Sequence, residues 1–183
     1  MYRDYFVFNL SGLPSGTISS ATLSIYNPGV SAGDPLNGYQ SPKASETYQV
    51  GSVSTPISAL TQGTGGVAAF NSLAAGTLWG TQLVSSNNNG AIVQVSLNSS
   101  FLTGASSQLG NGELAIGGFL VGDTGFTTQF REIIFGATGT AGSPIPQLSL
   151  VIVPEPSMAA MGVLIATLLV VRHAARARAR PSR

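Results

Sequence analysis

Two prolines one residue apart, Pro154 and Pro156, set the firmest limit on how this chain can fold. Proline has no amide hydrogen to donate and holds its neighbours toward extended backbone, so a strand ending near Val153 cannot run on into a helix. The chain therefore divides into a region 1–152 and a C-terminal region 153–183. The second region reads in three parts: Pro154-Glu155-Pro156, a hydrophobic helix over 157–171, and an arginine-rich tail over 172–183. The fourteen residues from Met158 to Val171 would span about 21 Å as a helix, against a bilayer hydrocarbon core of about 30 Å. That is short for a permanent anchor but sufficient for transient insertion, with Arg172, Arg176, Arg178, Arg180 and Arg183 on the cytoplasmic flank.

Charge follows the same division. Up to Pro156 the chain carries three basic against seven acidic groups, a net of −4, whereas the tail carries +5. Five arginines directly after an apolar helix are a membrane flank, and a nucleic-acid footprint is set aside. With no cysteine in the chain, disulfides and thiolate metal sites are excluded. Few charges and abundant Gly, Ser, Thr and Asn suit an exported β-rich domain better than a cytosolic enzyme.

Within 1–152, hydrophobic alternation predicts strands. Phe6, Phe8 and Leu10 share one face of the first, and Ala21, Leu23 and Ile25 share the inward face of the second. Tyr48 and Val50 mark a third strand after a Gly/Pro/Asn-rich loop over 33–42. Thr55-Pro56 reads as an N-cap with proline at the first helical position, followed by a helical turn ending by Gly63. A further turn holds Phe70 and Leu73. Segments 77–86 and 91–97 flank Asn87-Asn88-Asn89-Gly90, where Asn-Gly predicts a tight hairpin. Asn98 caps a helix to about Gln108, with Phe101 and Ala105 on one side. Strands follow over 113–121 and 126–135, and a last one over 147–153 places Leu148, Leu150 and Ile152 together. The expected fold is all-β: a jelly-roll-type β-sandwich of eight or nine strands with two or three short helices, followed by the C-terminal hydrophobic helix.

Chemistry is sparse in this pattern. Asp4, Asp34, Glu46, Glu113, Asp123 and Glu132 stand apart along the sequence, so no general acid/base pair is indicated. The one histidine, His173, lies in the tail, which excludes a histidine triad or histidine metal ligand in the domain. Asp123 in its glycine turn is turn chemistry rather than a calcium site. No catalytic residue, metal or cofactor is implied. Sugar stacking would need exposed aromatics, and the candidates are Tyr39 in the long loop and Trp79 beside the Asn-Gly turn, with core packing the competing role for Trp79.

The order Pro154-Glu155-Pro156, apolar helix and arginine cluster resembles the PEP-CTERM sorting signal of Gram-negative bacteria. The resemblance covers 153–183. It implies recognition by exosortase, a membrane protease-transpeptidase that processes its substrates near the motif during export. The expected route passes transiently through the inner membrane to the cell surface or extracellular matrix. A second resemblance rests on Arg3, Phe6, Phe8, Asn9, Leu10, Ser11 and Leu13, then Ile18, Ser20, Ala21 and Leu23. That pattern is similar to the opening of DNRLRE-like and carbohydrate-binding-module-like sandwiches of surface proteins, with Asn9 where an acidic residue is usual. It implies a sandwich and no particular ligand. Both resemblances imply residues upstream of Met1, a signal peptide and a preceding strand, because Met1-Tyr2-Arg3-Asp4 leads straight into a strand with no basic, apolar leader.

The function expected is a non-catalytic structural or adhesive surface protein. A carbohydrate-binding module acting on exopolysaccharide and a degenerate hydrolase domain are the alternatives.

Overall fold

The computed structural model describes residues 3–29, 38–110, 112–122, 132–135 and 144–155. Contacts divide the chain into two units, Met1–Val153 and Pro154–Arg183. Of the second unit, only Pro154 and Glu155 are described. The proposed C-terminal helix and Arg172, Arg176, Arg178, Arg180 and Arg183 lie outside the described residues, as do Pro156 and most of the strand expected over 126–135. Among the described residues, no helix is long and apolar enough to cross a membrane.

The fold is mostly β. Seven strands are described: β1 (Arg3–Asn9), β2 (Gly16–Asn27), β3 (Ser45–Ser52), β4 (Leu78–Ser85), β5 (Ala91–Ser96), β6 (Glu113–Leu120) and β7 (Gln147–Pro154). They form two antiparallel sheets, a four-stranded one in the order β1-β6-β3-β4 and a three-stranded one in the order β5-β2-β7. Three short helices, α1 (Ile57–Thr61), α2 (Gly66–Ser72) and α3 (Ser99–Ser106), complete the described elements with a 3₁₀ turn, Ser86–Asn88.

Alternation explains why the sheets face each other. Ala21, Leu23 and Ile25 of β2 and Val93 and Val95 of β5 are buried, and they share one core with Phe6, Tyr48, Val50, Val84 and Ile116 of the other sheet. Removing such side chains from water is the main favourable term, about 1.5–3 kcal/mol for each fully buried aliphatic or aromatic residue. α3 closes the core with Phe101 and Ala105, its first turn capped by the Asn98 side chain accepting from the Phe101 amide at 3.2 Å. On the outer face of the larger sheet, α1 and α2 bury Leu60, Ala69 and Leu73 against Ala115 of β6, a second and smaller core. That layer accounts for β6 being buried on both faces from Leu114 to Gly118.

Two local expectations are corrected. Segments β4 and β5 are not a hairpin: β4 pairs with β3 and β5 with β2, so the chain changes sheets between them. A two-residue type I′ turn needs positive φ at both central residues. Here Gly90 has φ +75° while Asn89 is extended at φ −65° and ψ 132°. Ser85 and Asn88 instead close a capping box around the 3₁₀ turn. Likewise Thr55 is not the cap of α1. Pro56 takes that position, extended at ψ 138°, and the Thr55 hydroxyl bonds Ser72 Oγ at 2.7 Å, tying the two helices together.

A buried asparagine holds the sheet-changing turn. Asn27 is fully buried at the end of β2; its Oδ1 accepts from the Phe135 amide at 2.9 Å and its Nδ2 donates to Asn89 Oδ1 at 2.9 Å. Removing one partner of a buried hydrogen bond leaves the other unsatisfied, at about 1–3 kcal/mol. Asn27→Ala should therefore lower unfolding stability by about 2 kcal/mol in a urea titration with an unchanged slope. A loss below about 0.5 kcal/mol would mean that water reaches the Phe135 amide.

Candidate functional site

Three places in the described residues carry groups with chemical potential. The first is the end of β7. Leu148, Leu150 and Ile152 are half-buried against the core, alternating with exposed Val151 and Val153. Among the described residues Ile152 is the last to touch the core, and Pro154 and Glu155 are both exposed just past that contact.

The second place is a polar cluster built around Lys43. Its ammonium lies 2.9 Å from Glu46 Oε1 and 2.9 Å from Glu132 Oε1, and donates to the Gly122 carbonyl at 3.2 Å. Both carboxylate side chains are almost fully buried, at 2% and 6% exposure, whereas the lysine side chain is 42% exposed. Lys43 is consequently held protonated far above the usual lysine range, first by its bond to Glu132 and then by that to Glu46. Tyr39 adds a hydroxyl that donates to Glu46 Oε2 at 3.2 Å, and burial raises its phenol above the ordinary value. One ammonium therefore serves two buried carboxylates. Among the described residues no group of three His, Cys, Asp or Glu side chains is placed to hold a metal ion.

The third place is the Asp4–Tyr48 pair. Asp4 of β1 sits opposite Gly118 of β6, and Tyr48 of β3 reaches across that glycine to donate its hydroxyl to Asp4 Oδ2 at 3.1 Å. Gly118 is required here, since a Cβ would fall on the Tyr48 hydroxyl. Burial pushes the Asp4 carboxyl up to about 7, against the lowering effect of the Tyr48 bond.

Neither aromatic named for sugar stacking is available for it. Tyr39 is 4% exposed and Trp79 8%. Asn89 clasps the Tyr39 backbone on both sides, its Oδ1 accepting from the amide at 2.6 Å and its Nδ2 donating to the carbonyl at 3.3 Å. This clasp pulls the ring into the core. Trp79 packs edge-to-face on Phe101, with ring centroids 5.2 Å apart. It contributes its small exposed surface to an open cleft of about 280 Å³ with Thr55, Gln108 and Glu113 among the lining residues. Core packing, the competing role named for Trp79, is the one both rings play.

Sequence reasoning missed the pairing of Glu46 with Glu132 and of Asp4 with Tyr48. Only Lys43 and Glu46, three residues apart, gave a local signal. Asn27 and Asn89 gave none beyond turn composition.

No protein-family model, curated protein or solved structure matches the chain.

Proposed function

We propose that this chain is an exported cell-surface or extracellular-matrix protein of a Gram-negative bacterium, sorted and processed by exosortase through 153–183. The observation that carries the reading is the position of Pro154 and Glu155, exposed two and three residues beyond Ile152, the last described residue packed against the core. A protease-transpeptidase acting there would cut beyond the last described residue packed against the core. Processing would release the sandwich from its apolar helix and from Arg172, Arg176, Arg178, Arg180 and Arg183, which serve as a transient membrane flank.

The delivered part is read as a jelly roll with a non-catalytic structural or adhesive role. Support for the jelly roll comes from a strand order in which the chain crosses repeatedly between two facing sheets. The polar clusters support a structural reading. Lys43, Glu46 and Glu132 satisfy one another, and Asp4 is occupied by Tyr48, so neither group presents an unengaged acid or base to a cleft.

Mass spectrometry of the mature protein from a host with exosortase tests the proposal. The expected C-terminus lies close to Pro154-Glu155-Pro156, with Arg172–Arg183 absent. Replacing all three motif residues by alanine should leave the tail attached and the protein in the inner-membrane fraction. Recovery of the unaltered protein with Arg183 in place would overturn the sorting reading and leave a tail-anchored protein.

A further inference from the structure

The described charges of the sandwich gather toward one end. No Asp, Glu, Lys or Arg occurs from Tyr5 to Gly33 or from Thr47 to Gly112. Strand pairing sets Asn9 opposite Glu113, Ser52 opposite Ile116 and Gly51 opposite Leu78, so the links 10–15, 53–55, 75–77 and 107–112 adjoin the same end of the fold. β2 begins there too, its Ile18 amide donating to Ser106 Oγ at 2.9 Å. β7, in the same antiparallel sheet as β2, finishes there. Among the described charged residues, Arg3, Asp4, Lys43, Glu46 and Glu132 lie toward the opposite end, where β1 and β3 begin, and only Glu113 and Glu155 lie at this one. The links at the uncharged end are tied to one another: the Leu10 amide donates to the Gly112 carbonyl at 2.7 Å and the Thr77 amide to Ser52 Oγ at 2.8 Å.

The same end is the one from which the chain leaves toward its apolar run. Four residue steps separate Pro154, the last residue of β7, from Met158, and they span at most about 14 Å. The headgroup layer on one side of a bilayer takes about 5–8 Å of that, which leaves under about 10 Å between the end of β7 and the membrane surface.

We propose that this uncharged end of the sandwich is a membrane-facing surface, seated on the lipid headgroups for as long as 153–183 remains attached. The seat rests on 158–171 being the membrane segment of the sorting reading. Charge placement explains why this end suits it. The region up to Pro156 carries a net of −4, and an anionic headgroup surface repels carboxylates within a Debye length of about 8 Å. β6 runs eight residues, about 25 Å, so Asp4, Glu46 and Glu132 at the far end stand well beyond that range. The described residues of the seated end include no Lys or Arg to attract anionic lipid, so the tether alone holds the domain down. Loss of the tail on processing then frees it.

Single cysteines can report the orientation, because the chain has none of its own. Ser15 and Thr77 are exposed at the uncharged end, and Ala44 and Asn87 are exposed at the other, beside the paired Ser45 and Ser85. Full-length chains carrying Ser15→Cys, Thr77→Cys, Ala44→Cys, Asn87→Cys or Leu164→Cys are labelled with a fluorophore. They are reconstituted in vesicles of phosphatidylethanolamine and phosphatidylglycerol that bear nitroxides on the headgroups or on the acyl chains. The expected result is headgroup quenching about threefold stronger at Ser15 and Thr77 than at Ala44 and Asn87, with the Leu164 label quenched from the acyl chains. Equal quenching of the four domain labels, or stronger quenching at Ala44 and Asn87, would overturn the seat and leave the uncharged end to the processing enzyme, while a Leu164 label reached from the acyl chains upholds the membrane segment. A Leu164 label that acyl-chain nitroxides do not reach would overturn both.

Discussion

Replacing Lys43 by methionine should destabilise the domain at pH 7, because it leaves the buried Glu46 and Glu132 without the ammonium they share. The loss is smaller than for a fully buried pair, since the lysine side chain is 42% exposed and water can partly replace it. Methionine keeps most of the aliphatic stem, so the change isolates the charge. Adding Glu46→Gln to Lys43→Met should recover part of the loss at pH 7 by removing one of the two buried charges. Urea titrations of the three proteins at pH 7 supply the comparison. A Lys43→Met loss too small to detect, with nothing recovered by the added Glu46→Gln, would place both carboxylates in contact with solvent.

The cluster also explains where sequence reasoning succeeded and where it stopped. β2 and β7 were legible because their side chains alternate between a core and water, a pattern written in consecutive residues from Ala21 to Ile25 and from Leu148 to Ile152. The Asn98 cap was legible because its partner, the Phe101 amide, is three residues away. The sheet change between β4 and β5 was not, because Asn89 spends its side chain on Tyr39 and Asn27, both distant in sequence. A hairpin rule based on Asn-Gly has no access to those partners. Tyr39 misled for the same reason: its neighbours are turn-forming residues, yet an Asn89 clasp buries it. For Trp79, inside β4, the core packing named beside the stacking role is what its Phe101 contact shows. Glu132 could not be assigned to Glu46 because their meeting depends on the packing of separated segments around one lysine. The exposed end of the last strand was legible, since Pro154 acts locally on its own backbone.

Asp4 should make the domain lose stability as the pH rises from about 4 to about 7. Burial raises its carboxyl from the ordinary 3.8 to about 7, so the folded protein binds this proton more tightly than the unfolded chain does. The stabilisation from that proton is complete below the unfolded value and is lost as the pH rises through the folded one. A difference of this size corresponds to about 2–4 kcal/mol across the window, the lower figure allowing for the partial exposure of the residue. Tyr48 remains a neutral donor throughout, its phenol raised first by burial and then by the Asp4 charge. Asp4→Asn keeps an oxygen to accept the Tyr48 hydroxyl and removes the titration. The variant should match the parent near pH 4 and exceed it by about 2–4 kcal/mol at pH 8 in urea unfolding, because the parent must then bury a charge. Other titrating groups are common to both proteins and cancel in the difference. A difference that stays flat from pH 4 to pH 8 would mean that the Asp4 carboxyl is solvated, and that Tyr48 alone gives the pair its place between β1 and β3.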